Sequence, residues 1–132
     1  MLKFSLFILL VTSTFSHAAI QFAFTASNEM TCADGLVPKI THLVLAMDVS
    51  CYEPSNQLMV NVSNSPLSED PTEGVFIYDE DFTTCGSLTR SIPFKGLSGQ
   101  VDLFRKMYAR VTTFAEDYAP QINFATFVTT CD

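Results

Sequence analysis

The alternation of hydrophobic and polar positions along the chain predicts a series of short strands. Period-two alternation, or a short apolar run bounded by turn residues, is typical of a strand. The stretch Ile20 to Thr25 alternates in this way, and Ile40 to Cys51 is a nearly continuous apolar run of the kind found in buried central strands. Shorter runs span residues 57–62, 75–78 and 87–94, with turn residues between them. This regular spacing is typical of an antiparallel sandwich.

The stretch from Phe104 to Cys131 predicts a long hairpin. Two runs rich in β-branched and aromatic residues flank a polar segment that contains Pro120. The second run predicts a last strand over residues 121–130. Simple alternation gives that strand three core residues, which are Ile122, Phe124 and Val128. The same alternation leaves Phe127 on the opposite face.

A helical interpretation competes with the first strand of that hairpin. Apolar side chains recur at helical spacing, at Val101, Phe104, Tyr108, Val111, Ala115 and Tyr118. The β-branched run that begins at Val111 favours a strand instead. Two fold classes therefore stay open. The first is a mainly β protein, a small disulfide-stapled antiparallel β-sandwich. The second is an α+β protein, with one helix at about 101–117 packed on an antiparallel sheet.

The first 18 residues have the pattern of a secretory signal peptide. Lys3 precedes the apolar run Phe4 to Val11, and small residues ending at Ala18 provide a cleavage site. The sequence thus predicts a signal peptide over 1–18 and a single secreted β-rich domain over 19–132. That domain would be extracellular, or periplasmic in a bacterium. No later apolar run reaches the roughly 20 residues that span a bilayer, so no transmembrane segment is expected in the mature chain.

The four cysteines predict two disulfide bonds. They are Cys32, Cys51, Cys85 and Cys131, an even number in a small exported chain. Their spacing matches no zinc motif, and no CxxC pair occurs. Three pairings are possible. We favour Cys32 with Cys51 and Cys85 with Cys131, because the first of these closes a short local loop.

The charge balance argues against nucleic acid as a partner. Loss of Lys3 with the leader leaves six basic and 14 acidic residues. So acidic a surface repels phosphate backbones and anionic membranes.

The sequence assigns no catalytic, cofactor-binding or metal-binding residue. His42 is the only histidine after the leader, and no nucleophile or phosphate-loop motif is present. We expect His42 to be a strand residue with a satisfied ring. Carboxylates lie in two acidic stretches, at Glu69, Asp70 and Glu73 and at Asp79, Glu80 and Asp81. If both stretches met at one end of a sandwich they could hold Ca²⁺ or act in glycoside hydrolysis. A solvated acidic rim explains them more simply.

Asn61 begins the sequon Asn61-Val62-Ser63 and is a candidate glycosylation site. Alternation places its side chain opposite the apolar face of its strand, so we expect it to point to solvent.

The leading functional hypothesis is a secreted, non-enzymatic binding or interaction module that acts on a protein or cell-surface partner. The large number of apolar residues supports one alternative, a carrier of a small hydrophobic ligand or lipid inside the sandwich. A small carboxylate-dependent hydrolase is the second alternative. The sequence names no cofactor, and the partner is either a protein or a hydrophobic small molecule.

Overall fold

The computed structural model describes residues 16–25, 30–51, 57–68, 70, 72–115 and 120–132. These residues form seven strands and contain no helix. The strands are β1 (Ser16–Phe24), β2 (Pro38–Val49), β3 (Gln57–Ser63), β4 (Val75–Asp81), β5 (Gly86–Pro93), β6 (Met107–Ala115) and β7 (Gln121–Cys131). One sheet has four strands in the order β1-β6-β3-β4, and the other has three in the order β5-β2-β7. Every pairing is antiparallel.

The core lies between the two sheets and is built from alternating residues of both. The apolar residues that point inward from β2, β3 and β6 are at most 3% exposed, and they are Ile40, Leu43, Leu45, Met47, Val49, Leu58, Val60, Val62, Met107, Ala109 and Val111. Because each strand buries one face in this way, the prediction of a mainly β, disulfide-stapled sandwich is confirmed.

The helical alternative over 101–117 is wrong in the part of it that the structure describes. Residues 101–106 form turns, and β6 begins at Met107. The inward residues of β6 recur every second position, as strand geometry requires, and the strand is paired on both sides, with β1 and with β3. Tyr118, the last residue of the helical pattern, lies outside the described residues.

The predicted hairpin between the last two strands is also wrong. β6 belongs to the four-stranded sheet and β7 to the three-stranded sheet, so the two strands are not paired with each other. Among the described strands, β3 and β4 form the only pair that is both consecutive and hydrogen-bonded. β7 has the predicted position, but it pairs with β2 rather than with β6.

A β-bulge changes which side of β7 faces the core. Ala46 pairs with Phe124, whereas the next residue of β2, Met47, pairs with Ile122, so Asn123 is an extra residue. An extra residue reverses the alternation beyond it. Ile122 packs against the core as predicted, but Phe124 and Val128 are 55% and 41% exposed. Phe127 is the buried residue instead, at 5% exposure. The core assignment of Phe124 and Val128 was therefore wrong.

Both disulfides form, but with a pairing different from the favoured one. They join Cys32 to Cys131 and Cys51 to Cys85. β2 lies between β5 and β7, and its two ends decide the pairing. Val49 pairs with Gly86, which brings Cys51 next to Cys85. At the other end Val37 and Asp132 exchange two backbone hydrogen bonds of 2.9 Å, which places Cys131 beside the segment that carries Cys32.

β1 overlaps the end of the predicted leader. It begins at Ser16, and Ala18 pairs with Thr113 of β6. Residues 1–15 lie outside the described part of the chain. Cleavage after Ala18 would keep the register from Ala19 to Phe24, which includes Phe22 and Phe24, the two phenylalanines that contact Phe127. The cleavage site itself stays a prediction.

Candidate functional site

The outer side of the three-stranded sheet has an uncharged part, which we call the open face; it ends at Asp48, which follows Ala46 on the same side of β2 and accepts hydrogen bonds from Ser87 and Asn123. Residues directly opposite each other in antiparallel strands point to the same side. On β2 and β7 the pairs are His42 with Val128, Val44 with Thr126 and Ala46 with Phe124; on β5 the corresponding residues are Pro93, Ser91 and Thr89. None of these nine side chains is an aspartate, glutamate, lysine or arginine. The open face is thus apolar or weakly polar on a strongly acidic protein.

β7 is a free edge of this sheet as well as part of the open face. It pairs with β2 on one side, and no described strand pairs with its other side. The 11 residues from Gln121 to Cys131 include no charged residue and no proline. Charges and prolines are the usual devices that keep an edge strand from pairing with another chain. The bulge lies near the start of β7, so Phe124 to Val128 keep a regular register with β2.

The outer side of the four-stranded sheet is covered, in contrast. Residues 64–68, 70 and 72–74, here the 64–74 segment, connect β3 to β4 and lie over it. Arg110 of β6 is 2% exposed and donates from Nη1 to the Ser68 carbonyl (2.6 Å) and from Nη2 to the Glu73 carbonyl (2.9 Å). The Leu67 N–H donates to Oε1 of Gln21 on β1 (3.1 Å), and Leu67 is 8% exposed. This cover leaves the open face as the more accessible of the two.

The 64–74 segment also buries Asn61. Asn61 pairs with Arg110 and lies on the outer side of β3, as alternation predicted, yet it is only 2% exposed. Asn61 Oδ1 and Arg110 Nε have no hydrogen-bond partner among the described residues. The expectation that Asn61 points to solvent is therefore wrong, because a neighbouring segment covers it. A glycan on this amide would require displacement of the segment.

Gly74 is where the 64–74 segment comes closest to β3, and its replacement by alanine is expected to be destabilising. Gly74 has φ +88°, and a Cβ there would lie 2.7 Å from Cδ2 of Leu67 and 3.0 Å from the Val62 carbonyl oxygen. Gly35 has the same φ but no atom within 4 Å of such a Cβ. Gly35→Ala should cost about 1 kcal/mol from backbone strain alone, and Gly74→Ala about 1–3 kcal/mol more from crowding. Urea unfolding of both variants measures the difference; equal losses would contradict the close approach.

A cleft lies at the end of the sandwich where β2 begins and β5 ends, and we call it the end cleft. It consists of two adjoining hollows of about 430 Å³ each, which share Lys39, Ser98 and Leu103. The first hollow extends along residues 98–104 and includes Asn64. The second reaches the open face at His42 and is lined by Lys95 and Phe94. The end cleft and the open face therefore meet at His42.

The His42 ring has a satisfied nitrogen, as expected for a strand histidine. Its Nδ1 lies 3.0 Å from Oγ1 of Thr41. The Thr41 hydroxyl donates to the Val128 carbonyl (3.2 Å), which leaves its oxygen free to accept from the ring in the tautomer that is protonated at Nδ1. No serine or cysteine hydrogen bond to this ring occurs among the described residues. This arrangement orients the ring and does not activate a nucleophile.

Glu80, Arg90 and Tyr78 form a charged cluster that joins the edges of the two sheets. Arg90 of β5 donates from Nε and Nη2 to the two carboxylate oxygens of Glu80 on β4, at 2.7 and 2.9 Å. These bonds lower the pKa of Glu80. Burial, together with the hydrogen bond that the Tyr78 hydroxyl donates to Glu80, raises the pKa of Tyr78 to about 12. The Arg90 guanidinium also lies over the Phe82 ring. Because the ion pair links the edge strands β4 and β5 of the two sheets, we call it the Glu80–Arg90 clamp.

The two acidic stretches do not meet. Asp70 and Glu73 precede β4, whereas Asp79 and Asp81 lie near its other end. From its start at Val75, β4 extends about 13 Å to Asp79 and about 20 Å to Asp81. Glu69 lies outside the described residues, and those that are described include no group of three or more His, Cys, Asp or Glu side chains placed to hold a metal ion. The idea that both stretches share one end of the sandwich is wrong.

The sequence predicted His42 correctly as a strand residue with a hydrogen-bonded ring, but it did not predict two features of the surface. The exposure of Phe124 depends on the bulge at Asn123, and no local sequence motif predicts that bulge. The burial of Arg110 had one signal, a charged residue in the middle of a β-branched run, although the segment that covers it is distant in sequence.

Comparisons of the chain with protein-family models, with curated proteins and with solved structures yield no match. No helix in the described ranges is long and apolar enough to cross a membrane. The fold and surface define a class, a small β-sandwich closed by two disulfides with one uncovered sheet face. Its function has to be inferred from its own residues.

Proposed function

We propose that this protein is a secreted, non-enzymatic interaction module that binds a protein partner through the open face and the free edge of β7. The observation that carries the proposal is the position of Phe124, a phenylalanine 55% exposed on the free edge strand, at one corner of the uncharged open face. Exposed aromatic side chains surrounded by neutral groups are typical anchors of protein interfaces. The signal-peptide pattern and two disulfides fit an extracellular protein.

The chemistry of the surface favours a partner that presents an extended apolar segment. Such a segment adds to the free edge of β7 through main-chain hydrogen bonds, as in other strand-addition complexes. Its alternate side chains then lie beside Phe124 and Val128. Because β7 carries no charge, an approaching strand meets no local repulsion, although the protein is strongly acidic elsewhere.

The two alternative functions have less support. A carrier with its ligand between the sheets needs space there, but the apolar inward residues of β2, β3 and β6 are at most 3% exposed. A carboxylate-dependent hydrolase needs converging acids, and Glu80 is engaged by Arg90.

The test compares two equally exposed phenylalanines on opposite sheets. Phe76 of β4 is 51% exposed and provides the matched control for Phe124. A photo-crosslinking phenylalanine analogue is placed at either position, and the protein is added to the fluid into which it is secreted. We expect an adduct from position 124 and none from 76. With the purified partner, Phe124→Ser should weaken binding by about tenfold or more, and Phe76→Ser should leave it unchanged. Equal adducts from both positions, or an unchanged affinity of Phe124→Ser, would refute the proposal.

A further inference from the structure

The basic residues of this acidic protein are gathered at one end of the sandwich. Six lysines and arginines follow the predicted leader. Arg90 is bonded to Glu80, and Arg110 is buried under the 64–74 segment. The remaining four lie at the start of β2 and in the connection from β5 to β6, and they are Lys39, Lys95, Arg105 and Lys106. At this end Lys95, Arg105 and Lys106 are exposed, and Lys39 forms a surface ion pair with Asp132.

Two of these cations line the same hollow of the end cleft. Lys39 and Lys95 face it together with His42, and no acidic residue contributes to its lining. Its floor is apolar: Pro93 is exposed there, beside Ile40, Phe94 and Leu103, which the core largely buries. A hollow of about 430 Å³ is within the usual size of small-molecule sites. The lining thus combines an apolar floor with a positively charged rim.

The rim cations remain accessible to a ligand. Lys39 contacts Oδ2 of Asp132 at 3.5 Å, and the two side chains are 33% and 59% exposed. Surface ion pairs of this kind contribute little, so another carboxylate can take the place of Asp132. Asp102 lies in the adjoining hollow, where its Oδ1 accepts the Phe104 N–H (3.0 Å), and it is absent from the lining that Lys95 faces.

We propose that the end cleft binds a small amphiphilic anion, an aliphatic monocarboxylate whose chain covers the floor and whose carboxylate pairs with Lys39 and Lys95. An inorganic anion would leave the apolar floor uncovered, and a neutral lipid would leave the lysines unpaired. The site adjoins the open face at His42 and Pro93 but does not include Phe124, so it can be tested separately from the proposed protein partner.

The test titrates the mature protein with sodium octanoate, followed by isothermal calorimetry and by NMR shifts of the residues that line the cleft. We expect saturable one-to-one binding, with 1-octanol and acetate each about tenfold weaker or more, because each lacks one half of the ligand. Lys39→Gln/Lys95→Gln should lower the affinity by about tenfold. Arg105→Gln/Lys106→Gln removes the same charge outside the cleft and should leave binding nearly unchanged.

Three results would overturn the proposal. They are no saturable binding of octanoate, equal binding of 1-octanol, and an equal loss in the two double variants, which would mean attraction by the overall field alone. Since Phe124→Ser leaves the cleft intact, failure of the proposed partner interaction would not alter these results.

Discussion

Phe127→Ala is expected to lower the free energy of unfolding by about 3–5 kcal/mol, the usual effect of emptying a buried aromatic site. Phe127 is 5% exposed, and its ring centroid lies 5.5 Å from that of Phe22 and 5.2 Å from that of Phe24 on the opposite sheet. It also meets Phe94 edge-on at 5.8 Å. This aromatic group closes the side of the sandwich between β7 and β1, opposite the side that the Glu80–Arg90 clamp closes.

The same substitution at Phe124, three residues away in the same strand, is the matched control. Phe124 points to solvent, so Phe124→Ala should change stability by less than about 1 kcal/mol. Chemical denaturation of both variants measures the two free energies under the same conditions. A larger loss at Phe124 than at Phe127 would show that β7 has the opposite face inward and that the bulge at Asn123 is absent.

Loss of the disulfide between Cys32 and Cys131 is expected to be the more damaging of the two disulfide deletions. These cysteines are 99 residues apart, whereas Cys51 and Cys85 are 34 apart. In the chain-entropy model, a longer closed loop restricts the unfolded chain more. The model gives about 4–5 kcal/mol for the longer loop and roughly 0.5–1 kcal/mol less for the shorter one. Because a typical domain is stable by about 5–15 kcal/mol, deletion of the Cys32–Cys131 bond should leave a protein of marginal stability.

The measurement uses double serine variants, so that no odd thiol remains. Urea unfolding of Cys32→Ser/Cys131→Ser and of Cys51→Ser/Cys85→Ser gives the two losses. Peptide mapping without reduction should return one linked peptide pair from each variant. A linked pair that joins Cys32 to Cys51 in the wild-type protein would contradict the connectivity.

The strands were predictable from the sequence because their signal is local. Alternation from Ile20 and the apolar run from Ile40 each depend on a few neighbouring residues, and β1 and β2 cover both. The boundaries of β7 were predictable for the same reason. The pairing partners of the strands were not predictable, because alternation shows which residues point inward but not which strand lies next to which. That gap explains the incorrect hairpin between β6 and β7.

The surface was less predictable than the strands because it depends on irregular and distant features. The bulge at Asn123 turns Phe124 outward and Phe127 inward. Because both residues are phenylalanine, hydrophobicity alone does not distinguish them. The cover over Asn61 comes from a segment whose contacts with Arg110 span about 40 positions of the chain. The disulfide pairing followed from the central position of β2, which only the assembled sheet defines.

The position of β2 between β5 and β7 has a consequence for biosynthesis. β2 is made early, but its partner β7 follows more than 70 residues later, and the partner of Cys32 follows 99 residues later. Meanwhile Cys51 emerges only 19 positions after Cys32, the nearest thiol available for oxidation. A premature bond between those two is then the characteristic kinetic trap, and escape from it requires thiol–disulfide exchange. Yield in an expression host should therefore depend on disulfide isomerase activity more than on oxidising power.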